Sequence, residues 1–222
     1  LNLFYLLNMK HLLYALLTAV SILFTSCGPS SNTNNPQVPN VPQPQPQPQP
    51  EVTQKVVIGY LALDDWEFEN LFPTIEWKYL THINASFARV KADGTLNINP
   101  VRKRIESVRE TAHKHNVKIL ISLAKNSPGE FTTAINDPKA RKELIQQIIA
   151  FTKEYKLDGF DIDYEEYDNW DKNFPSLLVF ARGLYLAKEK NMLMTCAVNS
   201  RWLNYGTEWE QYFDYINLMS YD

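Results

Sequence analysis

Leu157-Asp158-Gly159-Phe160-Asp161-Ile162-Asp163-Tyr164-Glu165-Glu166 is the stretch on which the architecture turns. Side chains alternate across a β-strand, so Asp161, Asp163 and Glu165 fall on one face and Phe160, Ile162 and Tyr164 on the other. Three acids in a row repel one another and lose hydration if enclosed. A half-exposed antiparallel strand with a wet polar face could carry such a row without further purpose. An enclosed strand would carry it only for chemistry, and the flanking segments decide between the two.

From Val56 onward, short β-rich runs alternate with amphipathic patterns, the signature of a parallel sheet wrapped by helices. Strands are expected over Val56–Leu61, His82–Ala88, Val117–Ala124, the acidic stretch, Leu193–Asn199 and Tyr215–Asp222. A short helix is expected over Thr74–Tyr79, after an acidic, aromatic loop over Asp64–Asn70. Longer helices should start at Asn99-Pro100 (Val101, Ile105, Val108 and Ala112 inward), at Asp137-Pro138 (Leu144, Ile148, Thr152, Tyr155) and at Pro175, running to Lys190.

Units spaced roughly 20 to 40 residues apart predict an α/β fold, a TIM (β/α)8 barrel, which typically needs about 250 residues. Residues 55–222 hold enough for about six units, so the barrel is expected to break off after its sixth strand. A doubly wound open sheet competes, but it normally carries a glycine-rich phosphate loop after an early strand. The folded region has almost no glycine to make one.

Composition is that of a folded chain: 45% hydrophobic, 13% aromatic, net charge −3, with no basic excess to suggest nucleic acid. The first 54 residues are different. Met9-Lys10-His11, the apolar run Leu12–Phe24 and Thr25-Ser26 before Cys27 form an export pattern. It resembles a bacterial lipoprotein signal, which implies a start at Met9, cleavage before Cys27 and lipidation of that cysteine, with Leu1–Asn8 as upstream sequence read in frame. An uncleaved membrane helix over Leu3–Phe24 is the alternative, although Asn8, Lys10 and His11 interrupt it. Either way the rest of the chain lies outside the cytoplasm, and the lipoprotein reading puts it in the bacterial cell envelope, lipid-anchored, facing periplasm or exterior.

Residues 28–54 form a Pro/Gln-rich linker, extended polyproline II rising about 3 Å per residue. The organisation is thus signal segment 1–27, linker 28–54 and barrel domain 55–222. With Cys27 lipidated, Cys196 has no internal partner and reads as a small core residue.

Asp158-Gly159-Phe160-Asp161-Ile162-Asp163-Tyr164-Glu165 resembles the D-G-x-D-x-D-x-E signature of family 18 glycoside hydrolases, the chitinases and endo-β-N-acetylglucosaminidases. Phe213–Asp222 is similar to that family's sixth strand, which ends in Met-x-Tyr-Asp, and Thr81-His82-Ile83-Asn84 is similar to its second. The likeness runs over about Val56 to Asp222. It implies a hydrolase acting on β-1,4-linked N-acetylglucosamine polysaccharides or glycans, without cofactor. Whether chitin, an N-glycan core or a peptidoglycan-derived oligosaccharide is cut depends on subsite loops and stays open.

The residues supply their own chemical argument. Breaking a glycosidic bond needs a protonated carboxyl at the leaving oxygen. Glu165 is the last of the inward acids, nearest the C-terminal strand ends where barrel active sites lie. Asp161 and Asp163 should penalise its ionisation, and the three should titrate as a coupled set.

The resemblance implies that the substrate's 2-acetamido oxygen, not a second carboxylate, attacks the anomeric carbon with retention, a substrate-assisted course. It further implies that Asp163 orients the acetamido N–H and that Asp161 shares a proton behind it. Tyr221 would then bond the acetamido carbonyl, with Met219 and Asp222 shaping the pocket. Tyr60, Phe87, Asn199 and Trp202 fall near strand ends, where each either meets sugar or packs core and rim.

Two departures from the family pattern stand out. The third strand carries Ser122-Leu123-Ala124-Lys125 where the family has S-x-G-G, adding bulk and a cation beside Asp161. The last two strands, which in the family bring a tryptophan to the floor of the sugar pocket, are missing from this sequence. An open six-stranded sheet exposes edges and half a core, so the 222-residue chain alone is expected to be unstable or inactive, a fragment of a longer product.

A non-catalytic, lectin-like barrel is the rival reading. Such relatives lack the acid at the position of Glu165, and this chain keeps it. A metal site on the three acids fits poorly, since the spacing lacks the glycine of a calcium loop and a strand spreads alternate side chains by about 7 Å.

Overall fold

The computed structural model describes residues 3–5 and 55–221. Cys27, the linker, Asp222 and the export-type segment from Met9 lie outside the described residues. The strands, in chain order, are β1 (Leu3–Tyr5), β2 (Val57–Ala62), β3 (His82–Val90), β4 (Leu96–Asn97), β5 (Lys118–Lys125), β6 (Gly159–Asp163), β7 (Leu193–Val198) and β8 (Tyr215–Leu218). The helices are α1 (Phe68–Leu71), α2 (Asn99–Arg102), α3 (Ile105–Lys114), α4 (Glu130–Asn136), α5 (Pro138–Glu154) and α6 (Trp170–Ala187).

Strands β2, β3, β5, β6, β7 and β8 pair in parallel, each with the next in sequence. The order never reverses, so there is no switch point of the kind a doubly wound sheet requires. The six strands and their helices form a curled parallel sheet, six units of a (β/α)8 barrel. Short antiparallel additions lie on it, β1 on β2 and β4 on β3.

The alternation in β6 sets the two layers. Phe160, Ile162 and Tyr164 are fully buried on the helix side. There the Tyr164 ring lies 5.3 Å from Phe131 of α4, which in turn lies 5.7 Å from Phe180 of α6. Burying side chains of this size stabilises by about 1.5–3 kcal/mol each. Asp161 and Asp163 take the opposite, interior face.

The first two signature residues serve the fold. Asp158 Oδ2 accepts from the Ile119 N–H at 2.8 Å and pairs with His113 Nε2 at 2.8 Å, fastening the entry of β6 to β5 and α3. Gly159 passes so close to β7 that a Cβ there would sit 2.0 Å from the Leu193 carbonyl oxygen.

Several expected elements differ in detail. The helix from Asn99 breaks into α2 and α3 around Lys103-Arg104, yet Val101, Ile105, Val108 and Ala112 are all fully buried. In place of a helix over Thr74–Tyr79 there are two 3-10 turns, Phe72–Thr74 and Trp77–Tyr79, and α1 occupies part of the expected loop before them. Helix α6 begins at Trp170, upstream of Pro175, because Trp170, Asn173 and Phe174 make a buried i, i+3, i+4 stripe ahead of the proline. Helix α4 was not anticipated. Cys196 is buried and unpaired. No helix among the described residues is long and apolar enough to cross a membrane.

Candidate active site

The inward polar residues come from several neighbouring strands, out of otherwise largely apolar segments. Ser122, Asp161 and Thr195 occupy one row, paired in register across β5, β6 and β7. Asp161 has no solvent exposure and accepts three hydrogen bonds. Thr195 Oγ1 donates to its Oδ1 at 2.5 Å; Ser122 Oγ and Tyr60 Oη donate to Oδ2 at 2.7 and 2.9 Å. Asn217 of β8 donates its amide N–H to Tyr60 Oη at 3.0 Å. The Asn84 amide lies beside the group and helps hold the Asp161 carboxylate charged, although its geometry falls short of a well-formed hydrogen bond.

Burial pushes the Asp161 carboxyl up from its ordinary value, and the Thr195, Ser122, Tyr60 and Asn84 donors pull it back. Burial also drives the Tyr60 phenol well above its usual range, helped by repulsion from Asp161 and Asp163.

One pleat further, Asp163 is 8% exposed. Its pKa is pushed up to about 8, by burial first and then by repulsion from Asp161 and Glu165, with Lys125 and Arg89 acting in the other direction. Its Oδ1 is buried without a hydrogen-bond partner. The cation that Lys125 adds to the family pattern therefore acts directly on the acid row.

Strand β6 ends at Asp163, so the expectation of three acids on one strand face holds for Asp161 and Asp163 only. Glu165 stands beyond the ladder, exposed at the mouth. Its placement is set by the irregular segment after the strand. There Lys125 Nζ donates to the Glu165 carbonyl at 3.2 Å.

A cleft of ≈ 540 Å³ opens at the C-terminal ends of the strands. Tyr60, Phe87, Asp163, Glu165, Met219 and Tyr221 line it together, with Phe68 and Ile75 on its apolar side. Asp161 supports it from below. Among the described residues no cluster of His, Cys, Asp or Glu is arranged to hold a metal ion.

Two expected contacts are placed elsewhere. The Trp202 ring has no exposure and packs 4.9 Å from Trp209, 5.5 Å from Phe174 and 5.7 Å from Trp170, inside an aromatic cluster rather than on the cleft. Asn199 caps the 3-10 turn Ser200–Tyr205, its Oδ1 accepting from the Arg201 N–H at 3.0 Å. Asp222 is outside the described residues. Sequence reasoning overlooked Thr195, Asn217 and Glu166. A lone polar residue in an apolar strand was the signal for the first two.

A chitinase from Bacteroides thetaiotaomicron, known from its crystal structure, is 99% identical over 74% of this chain and 53% of its own, with a TM-score of 0.73. Chitinase B of Serratia marcescens is 26% identical over 77% of this chain and 43% of its length. A GH18 chitinase from Cycas revoluta in complex with (GlcNAc)3 has the same fold, with a TM-score of 0.65 at 22% identity over 74% of this chain and 55% of its own. The chain thus spans about half the length of these proteins. The family profile described as "Glycosyl hydrolases family 18" matches residues 56–222. With its cleft and acid row at the strand ends, the chain belongs to glycosyl hydrolase family 18.

Proposed function

We propose that the protein hydrolyses β-1,4-linked N-acetylglucosamine chains, as a chitinase does, with retention and with the substrate's acetamido group as nucleophile. The observation that carries this reading is Glu165 at the rim of a cleft whose floor holds Asp163 over a fully buried Asp161. Glu165 reaches the leaving oxygen and serves as general acid, then as base toward water. Asp163, with an unpartnered buried Oδ1, accepts the acetamido N–H and, once the proton that its raised pKa retains has passed to Asp161, balances the cationic ring that forms. Asp161 stays fixed by its three donors and sets the charge of Asp163. Tyr221 meets the acetamido carbonyl, and Met219, Phe87 and Tyr60 present apolar surface to the sugar faces.

The test is hydrolysis of N-acetylglucosamine oligomers by the complete gene product, beside the Bacteroides chitinase, with the anomer of the first product read by NMR. Glu165→Gln should lower kcat by roughly 10²–10⁴-fold, the usual worth of general acid–base catalysis. De-N-acetylated oligomers should not be cut. An active Glu165→Gln variant, or an inverted product, overturns the mechanism.

The anchor belongs to the same proposal. Lipidation at Cys27 would tether the domain outside the cytoplasm through the Pro/Gln-rich linker, supported by the charge, apolar run and small residues before that cysteine. Cys27→Ser should move the protein from the membrane fraction to the soluble one.

A further inference from the structure

We propose that Lys125 and Glu166 are positioning residues for Glu165, holding from two sides a stretch of backbone that the sheet no longer holds. The inference rests on Glu165 being the general acid. The ladder of β6 ends with Leu123↔Ile162 on one side and Asp163↔Ala197 on the other. Past that point, among the described residues, no strand neighbour fixes residues 164–166. Strand β5 continues to Lys125, and its Nζ reaches across to the Glu165 carbonyl at 3.2 Å, in place of the ladder bond that is missing.

The second hold comes from the residues on either side of the acid. Glu166, at 9% exposure, turns its carboxylate away from the cleft. Its Oε1 accepts from the Gly129 N–H at 2.5 Å and its Oε2 from the Thr132 N–H at 2.6 Å. Tyr164 shares a 2.5 Å hydrogen bond between its hydroxyl and Thr132 Oγ1. Both neighbours of Glu165 are thus pinned to the same opening turn of α4. A buried carboxylate is costly unless such donors satisfy it, and bonds to a charged acceptor are roughly twice as strong as neutral ones. Residues 164 and 166 are held away from the cleft, and Glu165 between them lines it.

Position of this kind matters to rate more than to binding, since a shift of about 1 Å in a catalytic group can cost on the order of 10²-fold. Lys125→Met, Lys125→Arg and Glu166→Gln in the complete gene product, assayed on N-acetylglucosamine oligomers, test the idea. The expected result is kcat down roughly 10- to 100-fold for Lys125→Met and Glu166→Gln. KM should stay within about twofold, and Lys125→Arg, which keeps a donor, should recover most of the rate.

Unchanged kcat in Lys125→Met, or a rise in KM alone, overturns the positioning role. Lys125 is at the half-exposed rim, so its variants decide the matter even if Glu166→Gln does not fold. If Glu165→Gln stays inactive while Lys125→Met is fully active, the general acid stands and only the tethers fail. If Glu165→Gln turns over, the reading of Glu165 itself is what fails.

Discussion

The Tyr60 hydroxyl, on β2, donates to the Asp161 carboxylate, on β6, at 2.9 Å. Two strands, β3 and β5, separate their backbones. In a flat sheet that distance would be about 14 Å, three inter-strand spacings. The same hydroxyl accepts from Asn217 on β8, five ladders from β2, which would be about 24 Å away if flat. One phenol thus measures the curl of the sheet, and the curl is what brings residues 60, 161 and 217 into a single polar group.

Tyr60→Phe removes one of three donors to Asp161 and leaves the Asn217 amide without its acceptor. Deleting one partner of a buried hydrogen bond typically costs about 1–3 kcal/mol. Urea unfolding should show a loss of that size with an unchanged m-value. A variant as stable as the parent would mean that the buried carboxylate does not depend on this phenol.

Asp163 makes stability depend on pH in a definite direction. Its native pKa is near 8, against 3.8 for an ordinary aspartate, so between those values the native state binds more protons than the unfolded one. Stability contributed by this group is therefore highest at acid pH and declines as pH rises from about 4 to about 8. The Asp161 shift has the same sign. Asp163→Asn cannot ionise, so its melting temperature should gain on the parent progressively across that window. A constant difference from pH 4 to pH 8 would contradict the raised pKa. Turnover should be lost in the variant at every pH.

Gly159→Ala probes the signature glycine as a packing residue. The added Cβ meets the Leu193 backbone oxygen at 2.0 Å, and a backbone atom on a paired strand has nowhere to retreat. Overpacking normally costs 1–3 kcal/mol, and this contact belongs at the top of that range, about 3 kcal/mol. Thermal melts should show the loss. Gly129→Ala makes an informative companion: nothing lies within 4 Å of its Cβ, so any penalty there arises from its left-handed φ of +81° alone.

Much of the fold was legible because the sequence encodes it locally. The parallel strands announced themselves as short β-rich runs, and the inward and outward faces of β6 followed from period-two alternation. Boundaries were less legible where tertiary packing overrode a local signal. Pro175 looked like a helix start, yet buried Trp170 and Phe174 draw the first turn upstream of it. At the site, the motif carried Asp161, Asp163 and Glu165, but not where β6 stops, since alternation continues past the last ladder bond. Trp202 fell near a strand end, and only the packing of Trp170, Phe174 and Trp209 around it reveals that its ring faces away from the cleft. Glu166 received no role from the sequence. Its burial depends on α4, whose short pattern did not stand out.

Trp202→Ala and Phe87→Ala should separate packing from recognition. Trp202 has no exposed surface, and truncating a buried tryptophan typically costs 3–5 kcal/mol. Its loss should lower the melting temperature by several degrees. At a temperature where both proteins are folded, KM for N-acetylglucosamine oligomers should match the parent. Phe87 lines the cleft and is only partly buried, with the Arg89 guanidinium 5.0 Å from its ring centre. Its truncation should raise KM and leave the melt nearly unchanged. The reverse pattern, with oligomer binding lost in Trp202→Ala but not in Phe87→Ala, would place the sugar on the opposite side of β7 and displace the cleft as the binding site.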